Sequence, residues 1–233
     1  MSKMSQFFKN VKISQRPLDI IYVIDTSDSM SGVKIDTVNR AMKDLEELLR
    51  NEARKNPAAQ VNIRIIRFGG EQAQWHLQQR TPVENYKAKE IWTVPGRTPF
   101  GSAIELLSKS LESSDMPERG LRPIIVVMSD GWPTDEWKTK LERFHNIPWA
   151  KKAVKVAIAI GEGADKEILG QFTQDPSLVL APTHTADLRS FIQWTSTLVT
   201  HNSTPKGGDD GIIQRITPPT PNTVVKDDST NVI

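Results

Sequence analysis

Three short, near-continuous apolar runs constrain this chain more than any other feature: LDIIYVI at 18–24, PIIVVM at 123–128 and VKVAIAI at 154–160. Runs of this length without polar alternation read as strands buried on both faces, the pattern of a parallel sheet covered by helices. Helical periods lie between them. Ile35, Val38, Met42, Leu45 and Leu49 are spaced 3, 4, 3 and 4, which puts them on one stripe. That helix must end near Asn56-Pro57, because proline disfavours helix in the residue before it. Thr98-Pro99 opens a second helix, with proline suited to the first helical position and a stripe of Phe100, Ala103, Ile104, Leu107 and Leu111. Further helices are expected over 135–144 and 187–199. Val61, Ile63, Ile65 and Phe68 predict another strand. Gly69-Gly70 then marks a turn, and alternating Ala73, Trp75 and Leu77 predict a hairpin that adds an edge strand. The stretch 81–95 carries no clear period. The alternation as a whole predicts an α/β domain with a mostly parallel sheet and helices on both faces.

The chain has 233 residues, enough for one sizeable core and short for two. A net charge of +2 gives no reason to expect nucleic acid or an anionic membrane as the main partner. No apolar stretch approaches the length of a membrane span. There is no cysteine, which excludes a disulfide scaffold, a Cys-based zinc site and a thiol nucleophile. Residues 1–16 are polar around Phe7-Phe8 and lack the apolar core of a secretory signal, so the simplest compartment is cytoplasmic. From His201 onward Pro, Gly, Asp, Thr and Asn dominate without a sustained period, and a disordered tail is expected.

Three loops carry oxygen donors. The first, Asp25-Thr26-Ser27-Asp28-Ser29, follows the first strand. The second, Gly96 to Gly101, stands at a helix start and holds Thr98. The third, Ser129-Asp130-Gly131, follows the PIIVVM strand. In an open parallel sheet, ligands bind outside the carboxyl ends of the strands, so Asp25 and Asp130 can meet in space. Carboxylates and hydroxyls are hard donors suited to Mg²⁺ or Mn²⁺. Asp25, Ser27, Ser29, Thr98 and Asp130 are therefore the candidate metal ligands. Mg²⁺ prefers six ligands, so a position remains for an outside group, and a carboxylate from another protein fits it. Taken alone, Asp-x-Ser-x-Ser also reads as a turn in which Ser and Asp satisfy backbone groups.

The region from about Arg16 to Thr200 resembles the von Willebrand factor A family. Asp25-x-Ser27-x-Ser29, Thr98 and Asp130 match that family's metal-ion-dependent adhesion site residue by residue. Within the family, VIDTSDSMSG, GRTPFGSAI and VMSDGWPTD look like the bacterial TerY-type proteins of tellurium-resistance and stress gene clusters. The resemblance implies a Rossmann-like sheet of six strands, mostly parallel with one antiparallel edge strand. It divides the chain into an N-terminal extension (1–15), the domain (16–200) and the tail (201–233). It also implies a partner protein bound through the metal by an Asp or Glu carboxylate. TerY-type proteins are often encoded beside a protein kinase and a PP2C-type phosphatase, which suggests a signalling partner. Asp28 departs from the family pattern, standing where glycine is frequent; its charge either tightens the cation or repels an acidic ligand.

Asp28, Arg97 and Trp132 are the candidate partner-facing residues, Trp132 as an aromatic anchor on the rim. The alternative readings are an exposed charge for Arg97 and packing against the loop for Trp132 and for Trp137. His76, His145, His184 and His201 match no ligand spacing. Gly161-Glu162-Gly163 reads as a strand-to-helix turn. The expected function is metal-dependent protein binding without catalysis. The competing readings are a Mg²⁺-dependent phosphoryl-transfer hydrolase and a scaffold whose metal is purely structural. Against the hydrolase, the position two residues after Asp25 holds Ser27 rather than a second aspartate.

Overall fold

The computed structural model describes residues 15–112, 114 and 116–182, together with Asp187, Ser190, Trp194, Thr195, Thr197 and Leu198, which are helical. The N-terminal extension apart from Gln15, the tail, His184 and His201 lie outside the described residues. The strands are β1 (Arg16–Asp25), β2 (Ala59–Gly69), β3 (Gln72–Pro82), β4 (Ile124–Ser129), β5 (Val154–Ala159) and β6 (Val179–Leu180). They form one sheet in the order β3-β2-β1-β4-β5-β6. Every neighbouring pair is parallel except β2 and β3, the expected hairpin. The helices are α1 (Val33–Lys55), α2 (Phe100–Glu112), α3 (Lys138–Asn146), α4 (Pro148–Lys152) and α5 (Lys166–Thr173).

Successive side chains of a strand point to opposite faces, so the central strand β1 supplies two cores. Leu18, Ile20, Tyr22 and Ile24 join the α1 stripe of Ile35, Val38, Met42, Leu45 and Leu49, with Trp194 and Leu198 in the same cluster. Ile21 and Val23 join Phe100, Ala103, Ile104, Leu107 and Leu111 of α2 and Phe144 of α3. Both stripes expected from the 3.6 period are buried in full. The chain leaves β1 toward β2 on one side and returns through β4 on the other. The strand order therefore reverses between β1 and β4, which is where an open α/β sheet leaves a crevice.

One segment differs from the sequence reading, and the stretch without a period has its shape set by distant contacts. Helix α3 starts at Lys138 rather than near Asp135, because the Asp135 carboxylate is engaged elsewhere. It accepts the backbone N–H groups of Gly101 and Ser102, each at 2.8 Å, and so satisfies orphan donors in the first turn of α2. The stretch after β3 is irregular, and several of its backbone groups bond to side chains of α1 rather than to a neighbouring strand. Asn39 bonds both the carbonyl and the N–H of Ile91, Glu46 accepts from the Ala88 N–H at 2.7 Å, and Arg50 donates to the Tyr86 carbonyl at 2.6 Å. Such pairings leave no period to read along the chain.

Candidate metal centre

Asp25 is the last residue of β1, and β1 runs in register with β4 so that Ile24 faces Met128. Asp25 and Ser129 therefore stand level at neighbouring strand ends. Ser129 donates its hydroxyl to Asp25 Oδ2 at 2.5 Å. The Ser27 N–H donates to Asp25 Oδ1 at 2.9 Å, curling the chain back after the strand. Residues Asp28–Met30 then make a single 3₁₀ turn. This turn brings the Ser27 and Ser29 hydroxyls to 3.2 Å, and Ser29 donates on to Asp130 Oδ1 at 2.8 Å. A continuous set of contacts thus runs from Asp25 through Ser27 and Ser29 to Asp130.

The scaffold beneath is tight. The Thr26 N–H and hydroxyl both donate to the Phe68 carbonyl, at 2.7 and 3.1 Å, while the Thr26 carbonyl accepts from Val94 N–H at 2.7 Å. A Cβ at residue 69 would lie 2.7 Å from Thr26 backbone atoms, so only glycine lets β2 end this close to the loop. Thr98 arrives from the third loop. Its N–H donates to the Thr134 hydroxyl and its carbonyl accepts the Thr134 N–H, both at 3.0 Å, which joins the Thr98 and Asp130 loops. A Cβ built on Gly131 would touch Thr98 Oγ1 at 3.5 Å and Ser29 Oγ at 3.7 Å, so both hydroxyls border the same small space. The structure brings all five expected residues to one edge of the sheet.

Asp25, Ser27, Thr98 and Asp130 are buried, whereas Ser29 is exposed. Burial pushes the Asp25 carboxyl above its ordinary range. Hydrogen bonds from Ser129 and Ser27 oppose that rise, and the Asp130 charge adds to it. A carboxylate placed this way favours a nearby cation. Among the described residues no group of three or more His, Cys, Asp or Glu side chains could hold a metal. An ion at this edge would rely on hydroxyls for the remainder of its shell. Two carboxylates with three hydroxyls balance a divalent charge and suit a hard ion, so the residues present fit Mg²⁺ or Mn²⁺.

The model of the von Willebrand factor type A domain family matches residues 19–198. The chain belongs to this family. Mouse inter alpha-trypsin inhibitor heavy chain 4 is 33% identical over 126 residues, covering 50% of this chain and 12% of that protein. Mouse inter-alpha-trypsin inhibitor heavy chain H3 is 29% identical over 135 residues, covering 54% of this chain and 14% of that protein. The matched segment is thus a small part of both relatives. Among solved structures, proximal thread matrix protein 1 from the mussel byssus superposes with a TM-score of 0.60 at 19% identity, covering 82% of this chain and 47% of that one. The pilus adhesin SpaC from Lactobacillus rhamnosus GG, in its open conformation, superposes with a TM-score of 0.63 at 14% identity, covering 80% of this chain and 30% of that one. These likenesses establish the fold.

The rim of this von Willebrand factor type A domain carries several side chains near the candidate centre. Asp28, Arg97 and Trp132 are all exposed, Trp132 at 67%. Arg97 is held by its backbone, which bridges to Gly70. Trp137 instead packs inward, 6.3 Å from the Phe100 ring. The sequence reading missed five contributors. Ser129 was visible beside Asp130, but only the register shows that it serves Asp25. Thr134 and Asp135 act through backbone groups of other loops. Trp92 is as exposed as Trp132, in the segment that had no period. Lys34, on the first turn of α1, donates to Asp130 Oδ2 and to the Ser29 carbonyl, and nothing in its local sequence signals this.

Proposed function

We propose that this domain is a divalent-cation-dependent protein-binding module, an adaptor or regulatory unit rather than an enzyme. Asp25, Ser27, Ser29, Thr98 and Asp130 would hold one Mg²⁺ or Mn²⁺. The observation that carries this reading is the pairing of two buried carboxylates from neighbouring strand ends, joined through Ser27 and Ser29 at the switch point of the sheet. When bound, the cation supplies a Lewis-acidic position open to an Asp or Glu carboxylate of the partner. The residues of the chain do the rest. The two aspartates provide the charge, Ser129 and the Ser27 N–H fix the orientation of Asp25, and the Thr134 contacts hold the Thr98 loop against the Asp130 loop. Exposed Trp132 offers the partner an apolar surface beside the centre, with Arg97 and Asp28 as charged neighbours.

A solved relative in fold supports a divalent ion: proximal thread matrix protein 1 has been seen with a zinc-occupied metal-ion-dependent adhesion site. The likeness of three loop segments to TerY-type proteins favours a bacterial stress-response or signalling setting in the cytoplasm. A protein kinase or a PP2C-type phosphatase is the proposed partner there. Calorimetric titration of the full chain with MnCl₂ and MgCl₂ tests the first half, with one site expected and lost in Asp25→Ala. Pull-down with tagged protein in Mg²⁺, eluted with EDTA, tests the second. Partner capture indifferent to both EDTA and Asp25→Ala would sink the reading, and Asp25-dependent turnover of a generic phosphate ester would replace it with the hydrolase.

A further inference from the structure

Lys34 is the second residue of α1, and its ammonium pairs with Asp130 Oδ2. The same ammonium donates to the Ser29 carbonyl at 3.1 Å. Its side chain is 39% exposed, whereas that of Asp130 is 1% exposed. The stem of Lys34 passes over Gly161, where an added Cβ would lie 3.3 Å from Lys34 Cε. The other oxygen of Asp130 accepts the Ser29 hydroxyl. Both Asp130 oxygens are therefore engaged, one of them by a monovalent cation tethered to the chain.

A divalent ion approaching Asp130 meets this ammonium as a like charge at contact range. The hydrogen bonds to Asp25, by contrast, come from neutral groups, the Ser129 hydroxyl and the Ser27 N–H. The ammonium is the movable member of the set, being partly exposed on a flexible four-carbon stem, while Asp130 and Ser29 are fixed by their loops. We propose that Lys34 is a built-in competitor cation: it neutralises Asp130 when no metal is bound, must release that carboxylate as the metal enters, and so sets the metal affinity of the centre. The proposal rests on the metal-centre reading above and adds to it a residue that opposes binding.

The test is calorimetric titration of MnCl₂ into the full chain and into Lys34→Met, Lys34→Gln and Lys34→Arg, with melting of each in EDTA and in saturating Mn²⁺. Methionine keeps an unbranched apolar stem over Gly161 and removes the charge, and glutamine serves as a second neutral variant should methionine not fold. The neutral variants are expected to bind Mn²⁺ about tenfold tighter, equivalent to ~1.4 kcal/mol, while Lys34→Arg stays near wild type. In EDTA the neutral variants melt below wild type, and saturating Mn²⁺ removes most of that gap. A purely structural lysine would lower melting in both conditions without raising affinity. Neutral variants that bind Mn²⁺ no tighter than a wild type that does bind it overturn this inference alone. A wild type that binds no Mn²⁺ overturns the metal-centre reading and this inference with it.

Discussion

Replacing Asp25 with asparagine should have opposite consequences in chelator and in metal if the proposed centre holds the ion. Asparagine has the shape of aspartate. Its amide oxygen can still accept the Ser27 N–H that now reaches Oδ1 at 2.9 Å. The Ser129 hydroxyl, 2.5 Å from Oδ2, can rotate to accept from the new amide group. What disappears is a buried charge that burial disfavours and that the Asp130 charge repels. In EDTA, Asp25→Asn should therefore melt as high as wild type or higher. In metal the order reverses. An ion that binds only the folded chain adds about 2.7 kcal/mol at a hundredfold excess over Kd. For a domain of this size each kcal/mol moves Tm by roughly 2–4 °C, so wild type should gain about 5–10 °C. Asp25→Asn should gain little or nothing. Scanning calorimetry of both proteins, in EDTA and in MgCl₂ or MnCl₂, gives the four values needed. A variant that loses several degrees in EDTA, or that gains as much from metal as wild type does, would refute the reasoning. The first result would make Asp25 a structural carboxylate, and the second would move the ion elsewhere.

Asp135→Ala removes both acceptors from the first turn of α2 and should cost about 1–2 kcal/mol, read as a lower denaturant midpoint; by loosening the loop beside Thr98 it should also weaken Mn²⁺ binding. Gly101→Ala would put a Cβ 2.1 Å from the Glu136 carbonyl oxygen, so the backbone after Asp135 must move. Overpacking of this kind costs roughly 1–3 kcal/mol, and a melting temperature equal to wild type would contradict the contact. Lys155 is buried in β5 with its ammonium 2.6 Å from Gln174 Oε1, and burial pushes it down to about 8. Between about pH 8 and its ordinary value near 10.5 the unfolded chain keeps a proton that the folded chain has released, so stability should rise with pH across that window. Lys155→Met should abolish that rise, which urea titrations at pH 7.5, 9 and 10.5 would detect, and an unchanged pH slope in the variant would show that the ammonium is not the source.

Much of this domain can be read from residue order, because burial on both faces and helical period are local properties. LDIIYVI, PIIVVM and VKVAIAI are fully enclosed strands, and the stripes of α1 and α2 are buried as their spacing required. The five candidate ligands were legible for a related reason: a parallel sheet sends the carboxyl ends of its strands to one edge, so strand-end aspartates are brought together by topology alone. Other features depend on contacts between residues far apart in the chain. Ser129 serves Asp25 only through the register of β1 on β4. Asp135 stands before α3 in sequence yet caps α2, and it delays the start of α3 by doing so. The segment after β3 takes its shape from side chains of α1. Lys34 reaches Asp130 because the first turn of α1 comes to lie against the loop that follows β4. A sequence records what each residue prefers nearby. Where a charge finds its counter-charge is decided by packing, which brings distant side chains within a few ångströms and gives a lysine on the first turn of a helix a role at the candidate metal centre.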